Sequence, residues 1–247
     1  MKEIKRRQKL RKKIIYFSLL IFPITFYYFS PAIIIMGANE GIVTGSFIIF
    51  ALMFFGALFL GRAFCGWLCP AAGLQELIQI KRKKRVRTGV VDLIKYLIVW
   101  IPWISVIIFF VYKAGGYSKI DFFYKTWHGI SVSNIQSLIT MVTVLFIIGL
   151  IPLIFGRRAF CHYGCWMAPF MVAGTAVRDL LKLPGLRLKV NSDSCNQCKS
   201  CTAGCTMSLD VDVMVAKKSM KHHECILCGN CADVCKQDVI TFAFKNN

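Results

Sequence analysis

Acidic residues and histidines are scarce in this chain of 247 residues. Only 12 Asp and Glu stand against 31 Lys and Arg, so the formal net charge is +19. The 4 histidines, His128, His162, His222 and His223, all lie outside the long apolar runs. A b-type haem held by paired histidines inside a membrane is therefore not supported.

Charge and hydropathy together indicate a membrane protein. The chain is 56% hydrophobic, whereas soluble domains are about 45–50% apolar. Its basic residues fall in runs beside apolar stretches, as they do at the cytoplasmic ends of membrane helices. A nucleic-acid-binding protein would carry its basic charge on a separate domain, so we expect a lipid bilayer and no nucleic acid as partner.

Four apolar runs are candidate membrane spans, which need about 20 helical residues each. They are residues 14–36, 42–60, 93–112 and 138–155. The first is too long for the apolar region of a signal peptide and is expected to remain as a span. Lys95, near the start of the third, is expected to extend its side chain to the membrane surface.

Lysine and arginine are distributed unevenly between these spans. Residues 2–13 hold eight of them, a second basic run covers residues 81–85, and Arg157 and Arg158 follow the fourth span. The segment 37–41 has none. The positive-inside rule predicts a multi-pass protein of a bacterial or archaeal cytoplasmic membrane, with both termini in the cytoplasm.

One motif occurs twice, each time after an even-numbered span. Gly61-Arg62-Ala63-Phe64-Cys65-x3-Cys69 matches Arg157-Arg158-Ala159-Phe160-Cys161-x3-Cys165. The stretches that follow, 71–80 and 166–183, are interpreted either as helices in the membrane interface or as short helices packed on the bundle. The predicted fold class for residues 14–185 is an all-α membrane bundle of four transmembrane helices, arranged as two hairpins in parallel repeat.

Eight of the 12 cysteines form two runs of one spacing. It is the ligand run of proteins with two 4Fe–4S clusters, in which the fourth cysteine binds the other cluster. Zinc sites usually use separated cysteine pairs and fit less well. Thr206 and Lys236 replace the proline that usually follows each run. The expected ligands are Cys195, Cys198, Cys201 and Cys235 for cluster one, and Cys225, Cys228, Cys231 and Cys205 for cluster two.

Segments 186–190 and 239–244, which flank these runs, have strand character. In the second, Ile240, Phe242 and Phe244 alternate with smaller or polar residues, the pattern of a strand with one buried face. Residues 186–247 are thus predicted to form a small α+β bacterial-type ferredoxin domain. Its core is small, so the clusters are expected to stabilise it. Residues 1–13 form a separate basic N-terminal segment.

The cysteines of the repeated motif have several possible uses. Cys65, Cys69, Cys161 and Cys165 lie on one side of the membrane in the predicted topology. Converging thiolates would bind a third cluster or another soft metal, or act as a redox-active dithiol. Buried cysteines also serve as small apolar residues, but the duplicated spacing disfavours this. The sequence leaves the first three alternatives open, with ligation preferred.

Basic and imidazole groups accompany these cysteines. Arg62, Arg157 and Arg158 are expected to anchor at the membrane surface and to stabilise thiolates. His162 lies inside the second motif; we expect a solvated interface histidine rather than a ligand. His128 is expected in the opposite interface, with contact to a quinone headgroup as the alternative.

With both motif copies and both ferredoxin runs, the chain resembles the NapH/NosR/CcoG group of membrane polyferredoxins from the second span onward. It is most similar to the compact NapH type, with four spans and a cytoplasmic two-cluster tail. No segment is long enough for the flavin-binding domain of NosR-like members. The resemblance implies an electron-transfer subunit with redox partner subunits, and it associates the family with quinol oxidation or with copper reduction.

The predicted function is that of a membrane-anchored iron–sulfur electron carrier, similar to a subunit of a quinol dehydrogenase. It would pass electrons between a quinol, a quinone or a partner subunit and the cytoplasmic clusters. Two alternatives are a membrane copper reductase that uses the C-x3-C thiols, and a redox-sensing assembly factor. The hydrocarbon core is about 30 Å thick and all predicted ligands lie on one face, so transfer to the other face would need a diffusing quinone or another subunit.

Overall fold

The computed structural model describes residues 6–79 and 84–245. Outside these ranges lie residues 1–5, 80–83 and 246–247. They include the start of the basic N-terminal segment and part of the second basic run, and the predictions for them stay predictions. The helices are α1 (Arg6–Leu20), α2 (Phe22–Thr25), α3 (Pro31–Asn39), α4 (Gly45–Leu60), α5 (Ala63–Trp67), α6 (Pro70–Gln79), α7 (Ile101–Lys113), α8 (Ile135–Phe155), α9 (Ala159–Tyr163), α10 (Ala168–Leu180), α11 (Ser200–Gly204), α12 (Val211–Ala216) and α13 (Asn230–Val234). The strands are β1 (Ile42–Thr44), β2 (Lys119–Asp121), β3 (Gly185–Val190) and β4 (Ile240–Lys245).

Among the described residues, two helices are long and apolar enough to cross a membrane. They are Val90–Lys113, which ends with α7, and α8. The first predicted span is not one straight helix, because α1 and the segment Phe22–Phe29 meet at 59°. Pro23 and Pro31 each lie in the first turn of a new helix, where a proline is tolerated, whereas inside a helix its ring would clash with the preceding turn. The helix α4 is apolar but has only 16 residues, so four crossings stay a prediction.

The repeated sequence motif has a repeated structure. Gly61 and Gly156 end α4 and α8 with φ of 57° and 121°, a conformation that favours glycine. The short helices α5 and α9 follow, and then the longer α6 and α10. The helix α6 packs on α1 and α8, and α10 packs on α4. Both stretches after the motifs are therefore helical, and both pack against other helices of the bundle.

The tail is an α+β unit built on one antiparallel strand pair. β3 and β4 pair from Gly185 opposite Lys245 to Val190 opposite Ile240, within one residue of the predicted bounds. Ile240 is buried and Phe242 is partly buried against the core, but Phe244 is 61% exposed, so the expected buried face covers the first part of β4 and not its end. Along the chain, the cysteine runs and α11 to α13 come after β3 and before β4.

The tail and the helical bundle share one core. Phe50 and Ile148 of the long helices and Ile226 of the tail belong to the same group of packed, buried side chains. The helix α1 continues through the boundary expected after residue 13. Its side chains reach the tail, where Arg7 pairs with Asp233 at 2.7 Å. The basic N-terminal segment, where it is described, is thus part of the docking surface for the tail.

Candidate functional site

Four tail cysteines line a narrow cavity inside the tail. They are Cys205, Cys225, Cys228 and Cys231, here called the inner set. Burial raises the pKa of the Cys225 thiol to about 12, so thiolates here need a neutralising cation. The cavity encloses about 20 Å³, room for about one water molecule.

The other four tail cysteines line a wider cavity of about 440 Å³. This outer set is Cys195, Cys198, Cys201 and Cys235. Cys198 is exposed and the other three are partly buried. Four thiols around one cavity are the donor set of a 4Fe–4S cluster. Each cavity combines three cysteines of one run with the fourth of the other, which is the grouping expected for the two clusters.

The two cysteine loops have the same unusual backbone. Gln197 and Leu227, which precede the second cysteine of each run, have φ of 55° and 50°. Lys199 and Gly229, which follow it, have φ of 56° and 72°. Left-handed residues turn successive backbone N–H groups toward one point and form the concave anion sites found at iron–sulfur centres. The backbone thus fits an anionic cluster as well as the thiols do.

The four cysteines of the repeated motif, here called the motif thiols, lie together and are buried. Cys65, Cys69, Cys161 and Cys165 are 4% to 6% exposed. Burial raises the pKa of Cys69 well above its ordinary value, and the other three thiols raise it further. Gln75 Nε2 donates to Cys161 Sγ at 3.2 Å. The motif thiols therefore form one compact group, as the repeat predicted.

Two arginines of the motif are buried beside these thiols and are not the exposed anchors that the sequence predicted. Arg62 and Arg158 are 2% and 0% exposed, and Arg158 Nη1 donates to the Cys65 carbonyl at 3.1 Å. Arg62 Nε and Nη2 and Arg158 Nε have no hydrogen-bond partner among the described residues. Buried donors without acceptors are costly. An anionic cluster on the thiols would supply the missing acceptors, so these residues fit such a group.

Glu224, next to Cys225 of the inner set, joins the tail to the bundle. It is 0% exposed, accepts from Arg62 Nη1 at 2.9 Å and pairs with Lys95 Nζ. Burial alone would raise the pKa of Glu224, but Arg62 and Lys95 outweigh it and lower the pKa to about 2. The expected extension of Lys95 to the membrane surface was wrong, because the tail covers this lysine and supplies its counter-charge.

Glu76 forms the corresponding junction on the other motif copy. Its carboxylate accepts from Arg11 Nη1 and Nη2 at 2.8 and 2.9 Å and pairs with Arg158. Burial opposes its ionisation, but the two arginines lower the pKa of Glu76. Each motif arginine thus meets one buried carboxylate, and neither carboxylate was identified from the sequence.

The expectation of a solvated His162 was also wrong. The side chain is 0% exposed. Its Nδ1 lies 2.7 Å from Asp92 Oδ1 and its Nε2 lies 3.0 Å from the Met207 carbonyl. Both ring nitrogens are occupied, so His162 holds the tail against the bundle and does not bind what the motif thiols bind. His128 is exposed and lies in the loop between α7 and α8, distant in sequence from every cysteine set.

A second group of ligand atoms is less suited to a metal ion. Atoms of Asp92, His223 and Glu224 lie within 4.8 Å of one another. Two cations, Arg62 and Lys95, already neutralise Glu224. A metal ion would add further positive charge beside them. We therefore assign no metal to this group.

The motif thiols and the inner set are in direct contact through their loops. A Cβ added to Gly66, between Cys65 and Cys69, would lie 2.4 Å from the Ile226 carbonyl and 3.4 Å from Cys228 N. Trp67 Nε1 donates to the Leu227 carbonyl at 3.1 Å. The motif thiols and the inner set are thus neighbours, and Cys198 of the outer set is exposed.

Comparison with family models identifies the same parts of the chain. A 4Fe-4S binding domain matches twice, at residues 42–88 and 137–184, and each match contains one C-x3-C motif. A 4Fe-4S dicluster domain matches residues 194–240, which hold both ferredoxin runs. No solved structure matches the chain.

Curated relatives come from archaea and bacteria. An uncharacterised protein of Methanocaldococcus jannaschii is 28% identical over 193 residues, covering 76% of this chain and 74% of the relative. YccM of Escherichia coli, named as a candidate electron transport protein, is 26% identical and covers 76% of this chain and 53% of its own length. The regulatory protein NosR of Stutzerimonas stutzeri is 28% identical, over 74% of this chain and 25% of NosR.

These matches agree with the three cysteine groups and with the apolar helices. The two domain types are both iron–sulfur domains, and the relatives include NosR and YccM. With these domains and these relatives the chain is similar to membrane-type polyferredoxins, and it is an iron–sulfur electron transport protein of a membrane.

Proposed function

We propose that this protein carries electrons between the membrane and a soluble partner through three cysteine sites in series. The order is motif thiols, inner set, outer set. The observation that carries the proposal is the contact of Gly66, inside the first C-x3-C motif, with the backbone of Cys228. Because these loops touch, a group on the motif thiols and a cluster on the inner set would be neighbours.

The two cavities support the ligand sets proposed for the tail. The outer set would hold cluster one and the inner set cluster two, with Cys235 and Cys205 exchanged between the runs. The motif thiols would hold a third 4Fe–4S cluster, which the unpartnered donors of Arg62 and Arg158 support. These clusters supply one-electron redox chemistry when bound.

The charged side chains around the sites determine the net charge beside the motif thiols. Arg62 and Arg158 place two buried positive charges beside the motif thiols, which favours a more negative, reduced centre there. The two carboxylates that face the motif arginines, Glu76 and Glu224, are each paired with basic side chains, so they add little repulsion. Cys198 is exposed, which makes the outer set the point where a soluble redox partner would approach.

The membrane side of the proposal concerns topology and donor. Four crossings with both termini in the cytoplasm agree with the distribution of lysine and arginine. The helix α4 rises about 24 Å, so its crossing needs a locally thinner bilayer. A quinol or a partner subunit would exchange electrons at the motif thiols. In this proposal a quinol or a partner subunit is the donor, and electrons flow from the motif thiols to the tail clusters.

The test compares the wild type with the Cys65→Ser/Cys161→Ser variant, in nanodiscs and without oxygen. We expect a quinol to reduce the tail clusters of the wild type and to leave those of the variant oxidised, because the first site of the series is missing. Dithionite should reduce the tail clusters of both proteins, which shows that they are intact. EPR spectra after rapid freezing follow the reduction.

Two outcomes would contradict the proposal. Equal reduction of the wild type and the variant by quinol would remove the motif thiols from the path. If quinol reduces neither protein, and Cu²⁺ instead oxidises the prereduced clusters of the wild type but not of the variant, the copper-reductase alternative replaces the relay.

A further inference from the structure

A cavity beside the series of cysteine groups has no part in electron transfer as proposed. It encloses about 640 Å³ between α10, β3 and residues 218–223, a size typical of small-molecule sites. Gly61, at the end of α4, and Cys225, of the inner set, both reach its wall. The cavity therefore lies where the bundle meets the tail.

The lining of this cavity is strongly basic. Seven of its residues are Lys or Arg, and one, Asp179, is acidic. Asp179 already accepts from Arg178 Nε at 3.0 Å and from Arg187 Nη2 at 2.7 Å. Among the described residues, Lys189 and Lys221 make no ion pair. Unpaired cations around one cavity attract an anion, and phosphate groups are bound by such clusters.

Exposed apolar side chains lie on the elements that border the cavity. Phe59 and Leu60, at the end of α4, are 49% and 53% exposed. Leu180 and Leu181, at the end of α10, are 80% and 60% exposed. In a membrane protein, side chains of this kind contact acyl chains. Basic pockets at the cytoplasmic ends of membrane helices bind anionic headgroups.

We propose that this cavity binds a phosphate-bearing anion, and that the phosphate belongs to the headgroup of an anionic lipid. The headgroup would contact Arg187, Lys218 and Lys221, and the acyl chains would lie on Phe59 and Leu180. A soluble phosphate compound shares the charged part of this chemistry but gains nothing from the apolar residues. Binding does not depend on the proposed relay, because no cysteine is required for it.

The test is equilibrium binding to the anaerobically purified holoprotein. Calorimetric titrations use dioctanoyl phosphatidylglycerol, dioctanoyl phosphatidylcholine and inorganic phosphate in turn. The variant Lys218→Glu/Lys221→Glu alters the cavity. The control Lys9→Glu/Lys217→Glu changes the net charge equally, at exposed lysines that do not line the cavity. Iron per chain is measured for each protein and is expected to be unchanged.

We expect saturable phosphatidylglycerol binding to the wild type and to the control. In the cavity variant it should weaken by at least about tenfold, given the attraction that each lysine contributes. Phosphatidylcholine should bind more weakly than phosphatidylglycerol. Competition by inorganic phosphate would support the headgroup contact, and phosphate binding as tight as that of the lipid would contradict the lipid as source. No saturable binding of either anion, or equal weakening in both variants, would overturn the site.

Discussion

Replacing Glu224 by glutamine is expected to loosen the tail from the helical bundle. Glu224 is fully buried and is the counter-charge of both Arg62 and Lys95. Without it, two buried cations remain unpaired, and breaking a buried pair costs about 3–5 kcal/mol. The Glu224→Gln variant should therefore unfold at a lower temperature and be cleaved faster by protease within the tail.

Two further variants show whether this effect comes from the buried charges. Asp193→Asn removes an exposed partner, 3.8 Å from Lys218, and exposed pairs contribute about 0–1 kcal/mol. It should behave as the wild type does. Combining Glu224→Gln with Lys95→Met removes one stranded cation and should restore part of the loss. A Glu224→Gln variant as stable and as resistant as Asp193→Asn would show that the junction does not hold the tail.

Replacing Cys235 by serine is expected to remove the outer cluster and to spare the inner one. In the sequence Cys235 follows Cys225, Cys228 and Cys231, but it lines the cavity of the outer set. Cys205→Ser is the matched counterpart, because Cys205 lines the inner cavity. Each variant should lose about four irons per chain.

The identity of the surviving cluster distinguishes the two variants. The inner cysteines are more buried than the outer ones. A soluble paramagnetic relaxation agent should therefore affect the EPR signal left in Cys205→Ser more than the signal left in Cys235→Ser. The opposite order would mean that each run binds its own cluster and that the fourth cysteines are not exchanged.

The cysteine spacing predicted most of the tail, because ligand runs are local in sequence. The bounds of the two paired strands were predicted to within one residue for the same reason, because period-two alternation is also local in sequence. The buried ion pairs could not be predicted in this way. Lys95 and Glu224 are 129 residues apart, and no periodicity links them. Considered without Glu224, Lys95 is a lysine near the start of an apolar run, which is the pattern of a lysine at a membrane surface.

Two features of the sequence were visible but led to no prediction of the bend in the first span or of the buried ion pairs. Pro23 and Pro31 interrupt the first apolar run and coincide with starts of new helices, but the length of the run dominated the prediction. The scarcity of acidic residues was the second. In a chain with so few carboxylates, Glu76, Asp92 and Glu224 are all buried and all paired with basic or imidazole groups.

The central claim is that the motif thiols hold the first redox centre of a series. Iron and acid-labile sulfide per chain, measured on anaerobically purified protein together with EPR of the reduced sample, test it most directly. The account predicts about twelve irons in the wild type and about eight in the Cys65→Ser/Cys161→Ser variant. About eight irons in both proteins would contradict a cluster on the motif thiols, and zinc without sulfide would contradict the iron–sulfur assignment as a whole.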